Sequence, residues 1–114
     1  MYVEERIYTL HPGKLPAFLK IYEETGFAPQ RDILGLPMGW YTTDIGELNQ
    51  FVHLWAYTSL DDREARRVKL YADERFKEYL ALIFPLLVKM ENKILKPASF
   101  FAEPLKKMLA TWEK

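Results

Sequence analysis

Cysteine is absent from all 114 residues, which excludes disulfides, thiolate nucleophiles and thiolate-held metals and suits a reducing compartment. An excess of either charge is absent too: sixteen Lys and Arg are matched by sixteen Asp and Glu. A protein that grips a polyanion needs a basic surplus, so neither nucleic acid nor an anionic membrane is an expected partner. No apolar run approaches the roughly 20 residues a membrane span requires. The opening Met1-Tyr2-Val3-Glu4-Glu5-Arg6 carries acidic residues where a targeting segment would be basic and then apolar, so a cytoplasmic protein is expected. Glycine-rich phosphate loops and a nucleophile-elbow serine are missing. The two histidines, His11 and His53, have no carboxylate cluster at ligand spacing, and neither a metal nor a cofactor is expected.

What is present is patterned for one α+β domain. Residues 2–10 alternate, with Val3, Ile7 and Thr9 on one side, Glu4, Arg6 and Tyr8 on the other, and Glu5 out of place on the apolar side. After the turn His11-Pro12-Gly13, Leu15, Phe18, Leu19 and Tyr22 recur at helical spacing. Gly26 and Pro29 predict an interruption, followed by a short helical turn over residues 31–34. Residues 38–43 read as a strand that returns through Asp44-Ile45-Gly46-Glu47 into a second, forming a hairpin. Ser59 with Asp62 three residues on marks a helix start. That helix is expected to turn Leu60, Ala65, Val68 and Tyr71 inward and its arginines outward. Asp73 caps another helix that lines up Phe76, Tyr79, Leu80 and Ile83, and Pro85 ends it. Residues 86–96 form the last strand, with Asn92 breaking its apolar alternation. The order strand, helix, strand, strand, helix, helix, strand is a split β-α-β arrangement, a four-stranded antiparallel sheet with helices on one face. Residues 1–99 form this domain. Residues 100–114 form a tail helix whose apolar stripe (Phe100, Phe101, Leu105, Met108, Leu109, Trp112) calls for docking on the domain or on a partner.

The run from Leu48 through Phe51-Val52-His53-Leu54-Trp55-Ala56-Tyr57 to Ser59 has two unlike faces. Val52, Leu54 and Ala56 are plain core, while Phe51, His53, Trp55 and Tyr57 are rings, most with polar tips. Beside Glu4, Arg6 and Tyr8, these rings are expected on the sheet face that the helices leave open. An apolar patch of that size is closed in most proteins by a second copy, so a homodimer through this face is expected. The seven residues Glu4, Arg6, Tyr8, Phe51, His53, Trp55 and Tyr57 are then candidate ligand contacts. His53, as a proton-moving base or a haem ligand, and Arg6, holding an oxyanion, are the candidate catalytic pair. Against this, a lone strand histidine is commonly a hydrogen-bonded structural residue, and Arg6 with Glu4 equally makes an interface ion pair.

Four stretches resemble the NIPSNAP family: Glu4 to Lys14, Gly46 to Tyr57, Ser59-Leu60-Asp61-Asp62-Arg63, and Glu91 to Pro97. The resemblance implies a ferredoxin-like, dimeric α/β-barrel fold and a strand at residues 86–96. It implies little about activity. Members resemble small binding or scaffold domains, and some eukaryotic relatives are associated with mitochondria, vesicle traffic and mitophagy signalling. Proteins similar in fold include antibiotic-biosynthesis monooxygenases, muconolactone isomerase and haem-dependent chlorite dismutases, and fold alone does not carry function. Three readings follow: a domain binding a small flat apolar or carbonyl-bearing molecule, a cofactor-independent monooxygenase or isomerase, and a non-catalytic dimeric interaction module.

Overall fold

The computed structural model describes residues 1–111. Trp112, assigned to the tail stripe, lies outside the described residues. Four strands, β1 (Tyr2–Leu10), β2 (Leu36–Thr42), β3 (Gln50–Tyr57) and β4 (Leu87–Leu95), form one antiparallel sheet in the order β2-β3-β1-β4. β1 faces β3 with Glu4 opposite Trp55, Arg6 opposite His53 and Tyr8 opposite Phe51, so the candidate residues share one face. The hairpin of β2 and β3 carries a bulge between Pro37 and Gly39.

Helical structure follows β1 as α1 (Leu15–Ile21), a π-helical turn (Tyr22–Gly26) and α2 (Phe27–Leu34). The interruption predicted at Gly26 and Pro29 does not occur. A π turn shifts the hydrogen bonding by one residue, which carries the chain past a glycine and a proline without a break. Gly26 is needed here because a Cβ would come within 2.6 Å of Tyr79 Cε1. Gly35, at φ +96°, then ends α2.

α3 (Leu60–Ala72) and α4 (Glu74–Ile83) start as the capping residues require. The Asp62 N–H donates to Ser59 Oγ at 3.0 Å, and Asp73 accepts from the N–H groups of Arg75 and Phe76. The Asp62 carboxylate takes the N–H of Thr58, one residue before the cap. Phe76, Tyr79 and Ile83 are buried as expected, but α3 is turned the other way round. Leu60, Val68 and Tyr71 are exposed, whereas Leu70 is buried and Arg63, Arg66 and Arg67 are half-buried toward the fold.

A second correction concerns the sheet. Phe18, Tyr22, Leu34, Leu70, Phe76, Tyr79 and Ile83 pack from the helices onto Tyr8, Leu10, Phe51, Trp55 and Tyr57. The face expected to be open is therefore the one beneath the helices, and Glu4, His53, Trp55 and Tyr57 are all at most 1% exposed. Aromatic side chains bury the largest areas, so covering them gains more than covering Val52, Leu54 and Ala56. The opposite face is covered in part by α5 (Ala102–Ala110), whose Leu105 and Leu109 pack on Val3 and Ala56. The tail thus docks on its own sheet. The architecture is α+β and ferredoxin-like, and among the described residues no helix is long and apolar enough to cross a membrane.

Gly26→Ala is expected to lower unfolding stability by about 1–3 kcal/mol, because the added methyl must displace the ring of Tyr79. Urea titration of both proteins measures this, and an unchanged midpoint would mean that the π turn does not need the glycine.

Candidate functional site

The charged part of the site is built around Glu4, which is fully buried on β1. Its carboxylate accepts from Arg6 Nη1 at 2.9 Å, from Arg63 Nε and Nη2 at 3.1 and 2.9 Å, and from Asn92 Nδ2 at 2.8 Å. Burial by itself would push this carboxyl up, but the hydrogen bonds from Arg63 and Asn92 and the charges of Arg6 and Arg67 hold it down at about 2. Arg6 extends the network through Nε to the Tyr8 hydroxyl at 3.2 Å. One carboxylate thus joins β1, α3 and β4. Neither Arg63 nor Asn92 was assigned to the site from sequence. The signal for Asn92 was its misfit in an apolar strand, and α3 gave none, because its arginines read as a solvated face.

His53 lies within the ring layer, with centroids 5.0 Å from both Tyr8 and Phe51. Trp55 Nε1–H, which can only donate, bonds His53 Nδ1 at 2.9 Å. Nδ1 is therefore unprotonated, and the proton of the neutral ring sits on Nε2. Burial first, then the charge of Arg6, holds the imidazole down at about 3. Nε2–H is buried without a partner among the described residues, as are the hydroxyls of Tyr57 and Tyr79. This geometry corrects the expectation of a base or a haem ligand: the one lone pair is committed to Trp55, and the ring has no exposed surface. The chemistry left to His53 is donation from Nε2–H to an acceptor such as a carbonyl or oxyanion. Tyr57, also within this layer, has its hydroxyl pushed up to about 12 by burial and by Glu4.

Of the seven candidate residues, Glu4, Arg6 and Tyr8 form the charged cluster, and Phe51, His53, Trp55 and Tyr57 form the ring layer beside it. Phe51 also lines a surface depression. That groove, with a volume of about 290 Å³, is lined by Leu19, Tyr22, Glu23, Phe27, Trp40 and Phe51. The π turn positions Tyr22 and Glu23, α2 supplies Phe27, and the hairpin brings Trp40. Trp40 Nε1–H donates to the Tyr22 hydroxyl at 2.8 Å, and that hydroxyl donates to Gln30 Oε1 at 2.5 Å. Sequence reading missed five of these residues as site residues (Glu23, Phe27 and Trp40 entirely, Leu19 and Tyr22 taken only as core), because the groove joins α1, the π turn, α2 and the hairpin.

In the unfolded chain His53 binds its proton near its ordinary value of 6.5 and Glu4 near 4.5, whereas the folded chain delays these to about 3 and about 2. Between those limits the unfolded state holds more protons, so stability falls with pH, first through His53 and then through Glu4 as well. The expected slope is at most about 1.4 kcal/mol per pH unit per group. Urea unfolding at a series of pH values measures it. In His53→Gln the loss between 6.5 and 4.5 should disappear, while the loss below 4.5 remains.

Comparison with known proteins places this geometry. The NIPSNAP family model matches residues 3–102. A curated NipSnap homologue of Dictyostelium discoideum is 36% identical over 94 residues, which cover 82% of this chain and 41% of that protein. The chain thus spans about two-fifths of the length of that relative. A crystal structure of a NIPSNAP family protein of unknown function from Agrobacterium tumefaciens is 45% identical with a TM-score of 0.84, covering 88% of this chain and 90% of the other. A putative antibiotic biosynthesis monooxygenase from Nitrosomonas europaea shares the fold at a TM-score of 0.64 and 15% identity, covering 85% of this chain and 98% of the other. Sequence and fold agree, and the chain belongs to the NIPSNAP family.

Proposed function

We propose that the chain binds a small, flat, largely apolar molecule, and that the binding site is the aromatic groove at the edge of the helix-sheet layer. The observation that carries this reading is the groove itself. Its volume of about 290 Å³ matches a small ligand, and five of its six lining residues are apolar or aromatic. The tie between Trp40, Tyr22 and Gln30 fixes two of its rings before any ligand arrives, which lowers the ordering cost of binding. Glu4, Arg6, Tyr8, His53, Trp55 and Tyr57 form the buried layer that sets Phe51 in place. A cytoplasmic setting belongs to the same proposal and rests on the cysteine-free composition.

We also infer a homodimer, through β4, whose Met90 and Ile94 pair with Tyr8 and Glu4 and so extend the ring-bearing face beyond the part that the helices cover. β4 is an edge strand exposed along nearly its whole length, and it presents Val88, Met90, Ile94 and Leu95 next to exposed Phe84 and Phe100. An edge of that length and apolarity is normally covered. A second copy of the sheet fits it.

Indole, as an uncharged flat probe, is expected to shift the Trp40 Nε1–H signal in two-dimensional NMR of the labelled protein. Trp40→Ala should weaken its binding about tenfold, read from the backbone amide signals of Glu23 and Phe27, which line the same groove. Shifts confined to other surfaces would remove the groove from consideration. Light scattering after size exclusion should return a dimer for the parent chain and a monomer for the double variant Val88→Asp, Ile94→Asp. A monomeric parent at micromolar concentration would refute the paired assembly.

A further inference from the structure

We propose that the groove selects a ligand bearing a quaternary or alkylated ammonium group. The inference rests on the groove being the binding site and names the chemistry of its occupant. Four of the six lining side chains are aromatic, and their planes are turned against one another: Phe27 and Trp40 at 42° and 5.1 Å, Tyr22 and Phe51 at 53° and 5.0 Å, Tyr22 and Phe27 at 85° and 6.4 Å. Tyr22 and Phe51 are 4% and 2% exposed and form the packed floor, so the ring surface open to the groove is that of Phe27, with half-buried Trp40 beside it. An aromatic face carries partial negative charge, so a cation resting against Phe27 and Trp40 is attracted by both.

The charge at the rim has the same sense. Among the described residues, Glu23 is the one charged side chain lining the groove, and no lysine or arginine lines it. A carboxylate beside electron-rich faces repels an anionic ligand and complements a cationic one. A metal ion is a poor fit, because one carboxylate supplies too few oxygen donors for a hard cation. A primary ammonium loses strong hydration on entering such an apolar surface, whereas a methylated nitrogen is wrapped in carbon and loses little. The rings are also held in advance. Tyr22 is 4% exposed and Gln30 2%, and the chain of bonds from Trp40 Nε1 through the Tyr22 hydroxyl to Gln30 Oε1 fixes both ring planes.

Choline and its uncharged carbon isostere, in which a tert-butyl group replaces the trimethylammonium, separate the cation from its shape. Each is titrated into the full chain, with the Trp40 Nε1–H signal as the readout. Choline is expected to bind at least about fivefold more tightly than the isostere. Glu23→Gln and Phe27→Leu should each narrow the ratio between the affinities for choline and for the isostere. Equal binding of the two probes, or tighter binding of the isostere, overturns the proposal. If indole still shifts Trp40 in that case, the groove remains a site for flat apolar ligands and only its charge selection fails. If neither indole nor choline moves the signal, both readings fall together.

Discussion

A carboxylate sealed beneath the helices at Glu4 is the constraint on which the rest of this structure depends. Removing such a charge from water costs several kcal/mol unless close, well-aligned partners compensate. The partners come from three elements, Arg6 on β1, Arg63 on α3 and Asn92 on β4, and each is thereby fixed relative to the others. The rotation of α3 follows. With Arg63 drawn inward to Glu4, Arg66 also turns toward the fold and caps the last carbonyls of α2, at Ile33 and Leu34. Arg67 stacks on Tyr71 at the outer rim, and Val68 is left exposed. An arginine-rich stripe that reads as solvated thus sends Arg63 to the sheet and Arg66 to the end of α2.

The same cluster accounts for the electrostatics of the ring layer. Arg6 sits opposite His53 in the sheet, and its charge adds to burial in keeping the imidazole neutral. Trp55 holds the tautomer by occupying Nδ1. The result is a histidine that donates and does not accept. A pair resembling a base beside a cation in the sequence becomes, once folded, a neutral donor beside a cation already committed to Glu4 and Tyr8.

Surface chemistry sits one layer farther out. The π turn places Tyr22 over Phe51 and sets Glu23 at the rim, while Gly26 lets the same turn lie against Tyr79. The groove is a by-product of that local widening, as π turns often are at functional positions. The fold shared with a putative monooxygenase at 15% identity carries no argument about chemistry. The arguments for binding come from the groove's own residues.

Much was legible in the sequence because it is local. Alternation in residues 2–10 and 50–57 specified the strands and correctly sorted their side chains into two groups, and Ser59 and Asp73 fixed two helix starts through bonds that span only a few residues. The hairpin, the strand order of a split β-α-β unit and the NIPSNAP resemblance followed. What period-two alternation cannot express is which of two half-apolar faces the helices cover, since either choice satisfies the pattern equally. That choice turned on the larger area of the rings and on the hydrogen-bond donors Arg63 and Asn92, which reach Glu4 from 59 and 88 positions away. The groove was hidden for the same reason: Leu19, Trp40 and Phe51 become neighbours only when packing brings three separate elements together.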